Sequence, residues 1–131
     1  MTYRELYLSA LHIISENNDG SSNSDYENRA GYILAAFCNE HFALDTRYRK
    51  ANQLVNSTFT PSSNIVLSDS FPLKEIFAPA AVYYLGAMLV SDENESLYQQ
   101  LSELYTKAIA SIQNGLPYAS ESITNCYPEL N

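Results

Sequence analysis

The chain has 131 residues, 46% of them hydrophobic, and a formal net charge of -8 with an isoelectric point near 4.5. That length suits a single domain with one modest core. The charge argues against nucleic acid as the main partner, because phosphate binding needs a basic footprint, and against docking on an anionic membrane surface. No apolar run approaches the roughly 20 residues of a membrane span. The opening MTYRELYLSALHIISEN lacks a basic region followed by an apolar run, so it does not read as a signal peptide. Eleven tyrosines and no tryptophan favour half-buried rings at edges and contact surfaces. The two cysteines, Cys38 and Cys126, form no CxxC. Reduced thiols are the default reading, with a disulfide between them as the alternative. After Val90, six acids (Asp92, Glu93, Glu95, Glu103, Glu121, Glu129) face one base, Lys107. Such a surface suits solubility or a basic partner.

A first helix is predicted from Thr2 to Ser15. Tyr3, Leu6, Tyr7, Ala10, Leu11 and Ile14 form one apolar stripe. Thr2 can cap it, with Glu5 as the reciprocal partner three residues on. Residues 15–25, SENNDGSSNSD, are small or polar and read as a loop. Asp19, Ser21, Asn23 and Asp25 alternate as in a calcium loop, but counting from Asp19 puts Gly20 at position 2 and Ala30 at position 12. A calcium loop needs glycine at position 6 and glutamate at position 12, so no calcium site is expected. Ser24 or Asp25 reads instead as the cap of a second helix.

That second helix runs from about Asp25 to Asn39, with a continuation towards Gln53 left open. Tyr26, Ala30, Ile33, Leu34, Phe37, His41 and Leu44 mark its apolar face. Gly31 inside it suggests the close approach of another helix. Cys38, His41 and Asp45 invite a metal reading, since His41 and Asp45 share a face at i, i+4. The remaining ligands are missing, so a buried thiol beside a surface His–Asp pair is the expectation, with no metal and no cofactor. The one concentrated basic run is Arg47, Arg49 and Lys50 around Tyr48.

From Asn52 to Phe71 the sequence turns to Ser, Thr, Asn and Pro, with Asn64–Leu67 a candidate strand. A connection this long is usually functional or disordered. Two readings stand: an extended arm that pairs with another chain, or a loop folded over its own core. Pro72 then opens a short turn through Phe77, with Asp69 or Ser70 available as its cap. Because Pro79 is tolerated only in a first helical turn, a separate third helix is expected to start near Ala78. It is apolar nearly all round from Ala80 to Val90, so it is expected at the centre. Ser91–Glu95 is an acidic turn, and Asn94 can cap a fourth helix. That helix carries Leu97, Leu101, Leu104, Tyr105, Ala108, Ile109 and Ile112 in a stripe and ends at Gly115 and Pro117. The short connection implies an antiparallel hairpin. The tail after Leu116 has no regular period. The expected architecture is therefore all-α: a small four-helix, bundle-like domain over residues 1–131, with an irregular arm at 52–71 and a poorly regular tail at 115–131.

No phosphate loop, GxSxG, HExxH or Cys/His ligand cluster occurs, so a binding module is expected and not an enzyme. The stretch Phe71–Ile112 resembles the small head-to-tail connector (adaptor) proteins of tailed bacteriophages and prophages. The residues carrying the resemblance are Asp69-Ser70-Phe71-Pro72-Leu73, Ala80-Ala81-Val82-Tyr83-Tyr84-Leu85-Gly86-Ala87-Met88-Leu89, Asp92-Glu93-Asn94-Glu95 and Leu104-Tyr105-Thr106-Lys107-Ala108. The stretch Phe71–Ile112 covers about a third of the chain. The Asn/Ser-rich loop at 15–25 has no counterpart in that pattern. The resemblance implies a virion structural protein that forms an oligomeric ring and joins the portal of the DNA-filled head to tail or neck proteins. It implies self-association, no sequence-specific nucleic acid and no membrane. The candidate contacts are Val55, Phe59, Ile65, Val66 and Leu67 in the arm, and Tyr118 and Tyr127 in the tail. The competing expectation is a small acidic cytosolic binding protein, such as an immunity or antitoxin-like partner of a basic protein.

Overall fold

A computed structural model describes residues 1–15 and 23–116 of the chain. Four α-helices carry these residues: α1 (Tyr3–Ser15), α2 (Asn23–Ala51), α3 (Ala78–Leu89) and α4 (Glu95–Asn114). A single 3-10 turn, Glu75–Phe77, precedes α3. The fold is all-α, as the hydrophobic periods predict.

Helix α1 forms as its stripe requires. Tyr3, Leu6, Tyr7, Ala10, Leu11 and Ile14 are all buried. Its capping box closes in both directions: Thr2 N–H donates to Glu5 Oε1 at 2.7 Å, and Glu5 N–H donates to Thr2 Oγ1 at 3.2 Å. Helix α2 starts at Asn23, ahead of the expected cap, and places Asp25 in its first turn beside Arg29. It continues without a break through Asn39 to Ala51. Tyr26, Ala30, Leu34, Phe37, His41 and Leu44 line its buried face.

Helix α3 is the centre and packs against α1, α2 and α4. Ala80, Ala81, Leu85, Ala87 and Leu89 are almost wholly enclosed. It begins at Ala78 with Pro79 in its first turn, where a missing N–H costs no hydrogen bond. Neither Asp69 nor Ser70 caps the preceding turn: its N-cap is Lys74, with no side-chain bond. The Asp69 carbonyl is engaged elsewhere, by α1. Asn94 caps α4 as expected, accepting from Leu97 N–H at 3.0 Å. Gly86 lies beside Leu101, and Tyr84, earlier on α3, beside Tyr105, later on α4. The two helices are therefore antiparallel.

Three expectations need correction. Leu104, placed in the buried stripe, is 42% exposed. At about 100° per residue it is offset by about 60° from Leu101 and about 80° from Ile112, the two buried residues of the helix. The candidate strand Asn64–Leu67 forms no strand; one isolated antiparallel bridge pairs Thr2 with Ser70. His41 and Asp45 are not a surface pair. Both are buried, and each bonds elsewhere.

A Cβ on Gly86 would lie 3.1 Å from Ile14 Cγ2 and 3.2 Å from Leu101 Cδ1, so this glycine lets α1, α3 and α4 meet. Gly86→Leu, and likewise Ala80→Leu at a fully enclosed site, should each overpack the bundle and cost about 1–3 kcal/mol. Urea midpoints unchanged in both variants would contradict this packing.

Candidate interaction surface

The arm between α2 and α3 is the least regular described segment, and the end of α2 positions it. The chain leaves the helix through Gln53, whose φ of 59° is the left-handed turn that reverses direction. Leu54 N–H then donates back to the Arg49 carbonyl at 2.7 Å. Arg49 lies in the last turn of α2 and works as a fork. Its Nε donates to Asp45 Oδ2 at 2.7 Å, its Nη1 to the Val55 carbonyl at 2.9 Å, and its Nη2 to the Pro72 carbonyl at 2.9 Å. Both ends of the arm are thus held by one planar guanidinium, which an ammonium could not reproduce. Asp45 has no solvent exposure. Its second oxygen accepts from Lys74 N–H at 2.9 Å, which fixes the approach to α3.

The middle of the arm lies along α2. Asn39 Nδ2 donates to the Ser62 carbonyl at 2.8 Å, and the Phe59 ring packs 5.7 Å from Phe42. Ser62 Oγ donates to the Asn64 carbonyl and accepts from Asn64 N–H, which tightens a local turn. Gly31 gives this turn its seat. A Cβ there would come within 2.5 Å of Asn64 Oδ1 and 3.0 Å of the Ile65 carbonyl. The close approach at Gly31 is therefore real, but the neighbour is the arm and not another helix.

The far end of the arm caps α1. Arg4 N–H donates to the Leu67 carbonyl at 2.8 Å, and Tyr3 N–H to the Asp69 carbonyl at 3.0 Å. These are two of the donors that a helix start leaves without an intrahelical partner. Phe71 N–H returns the connection to the Met1 carbonyl at 2.8 Å. Leu67 and Phe71 are buried as a result. Between arm and α1 a cleft of about 390 Å³ remains, lined by Tyr3, Phe59, Ser62, Asn64, Ile65 and Asp69 among others.

The arm nevertheless has an open side. Among the described residues, no main-chain group from 55 to 65 bonds to another main-chain group. Val55 is 84% and Val66 60% exposed. Of the five candidate contacts among the described residues, these two are exposed. Phe59 and Ile65 are half-buried against the chain's own core, and Leu67 is enclosed in it. The Leu67 side chain is buried in the core while its carbonyl caps α1. Tyr118, Tyr127, Cys126 and most of the tail lie outside the described residues, as does most of the 15–25 loop.

Sequence reasoning missed the anchors Asn39, Asp45 and Arg49. Arg49 was visible only as part of a basic run at a helix C-terminus, where cations are favoured anyway. The Cys38–His41–Asp45 trio disperses. The Cys38 sulfur is 3.9 Å from the Tyr3 hydroxyl, and burial pushes its thiol up to about 12. His41 turns to Tyr105, and Asp45 to Arg49. No group of three His, Cys, Asp or Glu among the described residues is placed to hold a metal. No described helix is long and apolar enough to cross a membrane. Compared with family models, curated proteins and solved structures, the chain matches none.

The seating at Gly31 makes a separable prediction. Gly31→Ala gains about 1 kcal/mol of helix propensity but pushes a Cβ into the arm. The variant should keep its melting temperature within a few degrees, while amide exchange across 57–66 accelerates by about tenfold or more. Unchanged exchange in the arm would show that it is not seated on α2.

Proposed function

We propose that this chain is a non-enzymatic structural subunit of a tailed-phage or prophage virion. It assembles into an oligomeric ring that joins the portal of the DNA-filled head to tail or neck proteins. It is made in the host cytoplasm and resides in the virion. The reading starts from the resemblance of Phe71–Ile112 to head-to-tail connectors. The observation that carries it further is the arm. It is anchored at both ends and along its middle, yet Val55 and Val66 are exposed, and the main-chain groups between them bond only to side chains and to no other main-chain group. An extended segment of this kind offers a neighbouring subunit both apolar contacts and backbone hydrogen bonds. A net charge of -8 also suits a passage that DNA slides through without sticking.

Light scattering after size-exclusion chromatography, alone and with portal protein, tests the proposal. Rings or portal-bound species are expected. The double variant Val55→Asp, Val66→Asp should keep helical circular dichroism and lose assembly by about tenfold or more, since both side chains are exposed and surface changes rarely move stability by more than about 0.5 kcal/mol. A chain that stays monomeric at high concentration and ignores portal protein overturns the proposal. The second reading, an acidic partner of a basic protein, draws on the charge balance. Arg4, Arg29 and Arg49 are each paired with an acid inside the chain, which leaves carboxylates in excess at the surface. A strict monomer that binds a basic protein in a salt-sensitive way would favour it.

A further inference from the structure

Helix α4 packs chiefly on α3 and only slightly on α2. Leu101 and Ile112 are its two buried residues, and the rest of its inner face is half-buried. Its link to α2 is an aromatic cluster around one histidine. His41 Nε2 and the Tyr105 hydroxyl are 2.7 Å apart. The imidazole lies 4.6 Å from the Phe37 ring and 5.8 Å from the Tyr105 ring, and Tyr84 of α3 closes the cluster 5.1 Å from Tyr105. His41 is 7% exposed, and the Tyr105 ring packs over it.

We propose that His41 is an acid-sensitive latch: proton uptake by its imidazole releases the middle of α4 from α2 and opens the Phe37–Tyr84 ring floor to solvent.

Hydration decides whether the docked cluster can hold a charged His41. An imidazolium needs water or an anion, and the docked cluster offers aromatic rings and one hydroxyl. The titratable groups around His41 are Cys38, Glu40 and Asp45 on α2, Tyr105 on α4, and, through the ring cluster, Tyr84 on α3, which Tyr98 of α4 faces in turn. Asp45 is committed to Arg49 and to Lys74 N–H. Burial holds the Cys38 thiol and the Tyr84 and Tyr105 phenols in their neutral forms, pushing Tyr105 up to about 12. Glu40 is exposed, and its charge favours the imidazolium, but burial outweighs it and lowers the His41 pKa below the ordinary histidine value.

The sign follows. Well above the ordinary value of about 6.5, docked and released forms both carry neutral imidazole, and docking carries no penalty. As the pH falls through that value, the released form takes up a proton and the docked form does not. The docked form loses ground until the pH drops below its own, lower pKa. The device thus opens on the acid side of neutrality. It does not depend on the connector reading.

Hydrogen exchange with the full chain, corrected for intrinsic rates and read by residue, tests it. Between about pH 7.5 and pH 5, exchange across 101–112 should rise by about tenfold or more, while α1 and α3 lag. His41→Gln, a neutral side chain that can still bond Tyr105, should abolish the difference. A rise shared equally by all helices, no rise, or the same rise in His41→Gln overturns the latch. If that variant fails to fold, Tyr105→Phe decides. Removing the hydroxyl should raise α4 exchange severalfold already at pH 7.5 without moving α1; unchanged α4 exchange there overturns the latch.

Discussion

Asp45→Ala is expected to remove about 3–5 kcal/mol of unfolding free energy, the usual cost of breaking one side of a buried ion pair. The carboxylate is fully enclosed, and both its oxygens are used, one by Arg49 Nε and one by Lys74 N–H. The alanine would leave a guanidinium that is only 13% exposed facing an empty site. It would also leave an orphaned backbone donor at the entry to α3. The damage should spread along the chain, because the same guanidinium holds the arm at Val55 and Pro72. Asp45→Asn keeps an acceptor and should lose less. Urea unfolding followed by far-ultraviolet circular dichroism measures both. A loss below about 1 kcal/mol for Asp45→Ala would mean the pair behaves like one at the surface.

Phe37→Ala should cost about 3–5 kcal/mol, as large aromatic truncations in cores do. The ring is fully buried and lies 4.6 Å from His41, 5.7 Å from Tyr84, 6.3 Å from Tyr105 and 6.4 Å from Phe71. It thus joins α2 to α3, to α4 and to the end of the arm at one point. Phe37→Leu keeps most of the volume and should lose about 1.5 kcal/mol or less. The near-ultraviolet signal of the tyrosines around it should fall in Phe37→Ala even in the folded state. An alanine variant as stable as the leucine variant would show that the cluster closes over the gap.

The helices were legible in the sequence because each carries its signals locally. The α1 stripe and its Thr2–Glu5 box, Pro79 in the first turn of α3, and Asn94 before α4 all act within a few residues. What stayed hidden depends on partners far along the chain. Asp45 and His41 look like surface residues until Lys74 and Tyr105, many residues away, arrive to bond them. Leu104 fits the helical period, yet it stays 42% exposed. The arm's polar composition announced an excursion correctly. Its seating could not be read, because it uses carbonyls, and every residue has one. Gly31 gave the single local hint, and its neighbour was misread as a helix.

The Arg49 fork has a consequence for how this arm can vary in length. Because one side chain holds the carbonyls of Val55 and Pro72, the intervening residues form a closed loop whose ends stay together whatever lies between. The entropy of closing such a loop grows only with the logarithm of its length, about 0.6 kcal/mol for each doubling. Residues inserted near Thr60 would therefore lengthen the reach beyond the helices at small thermodynamic cost, while Arg49, Asp45 and the α1 cap stay as they are.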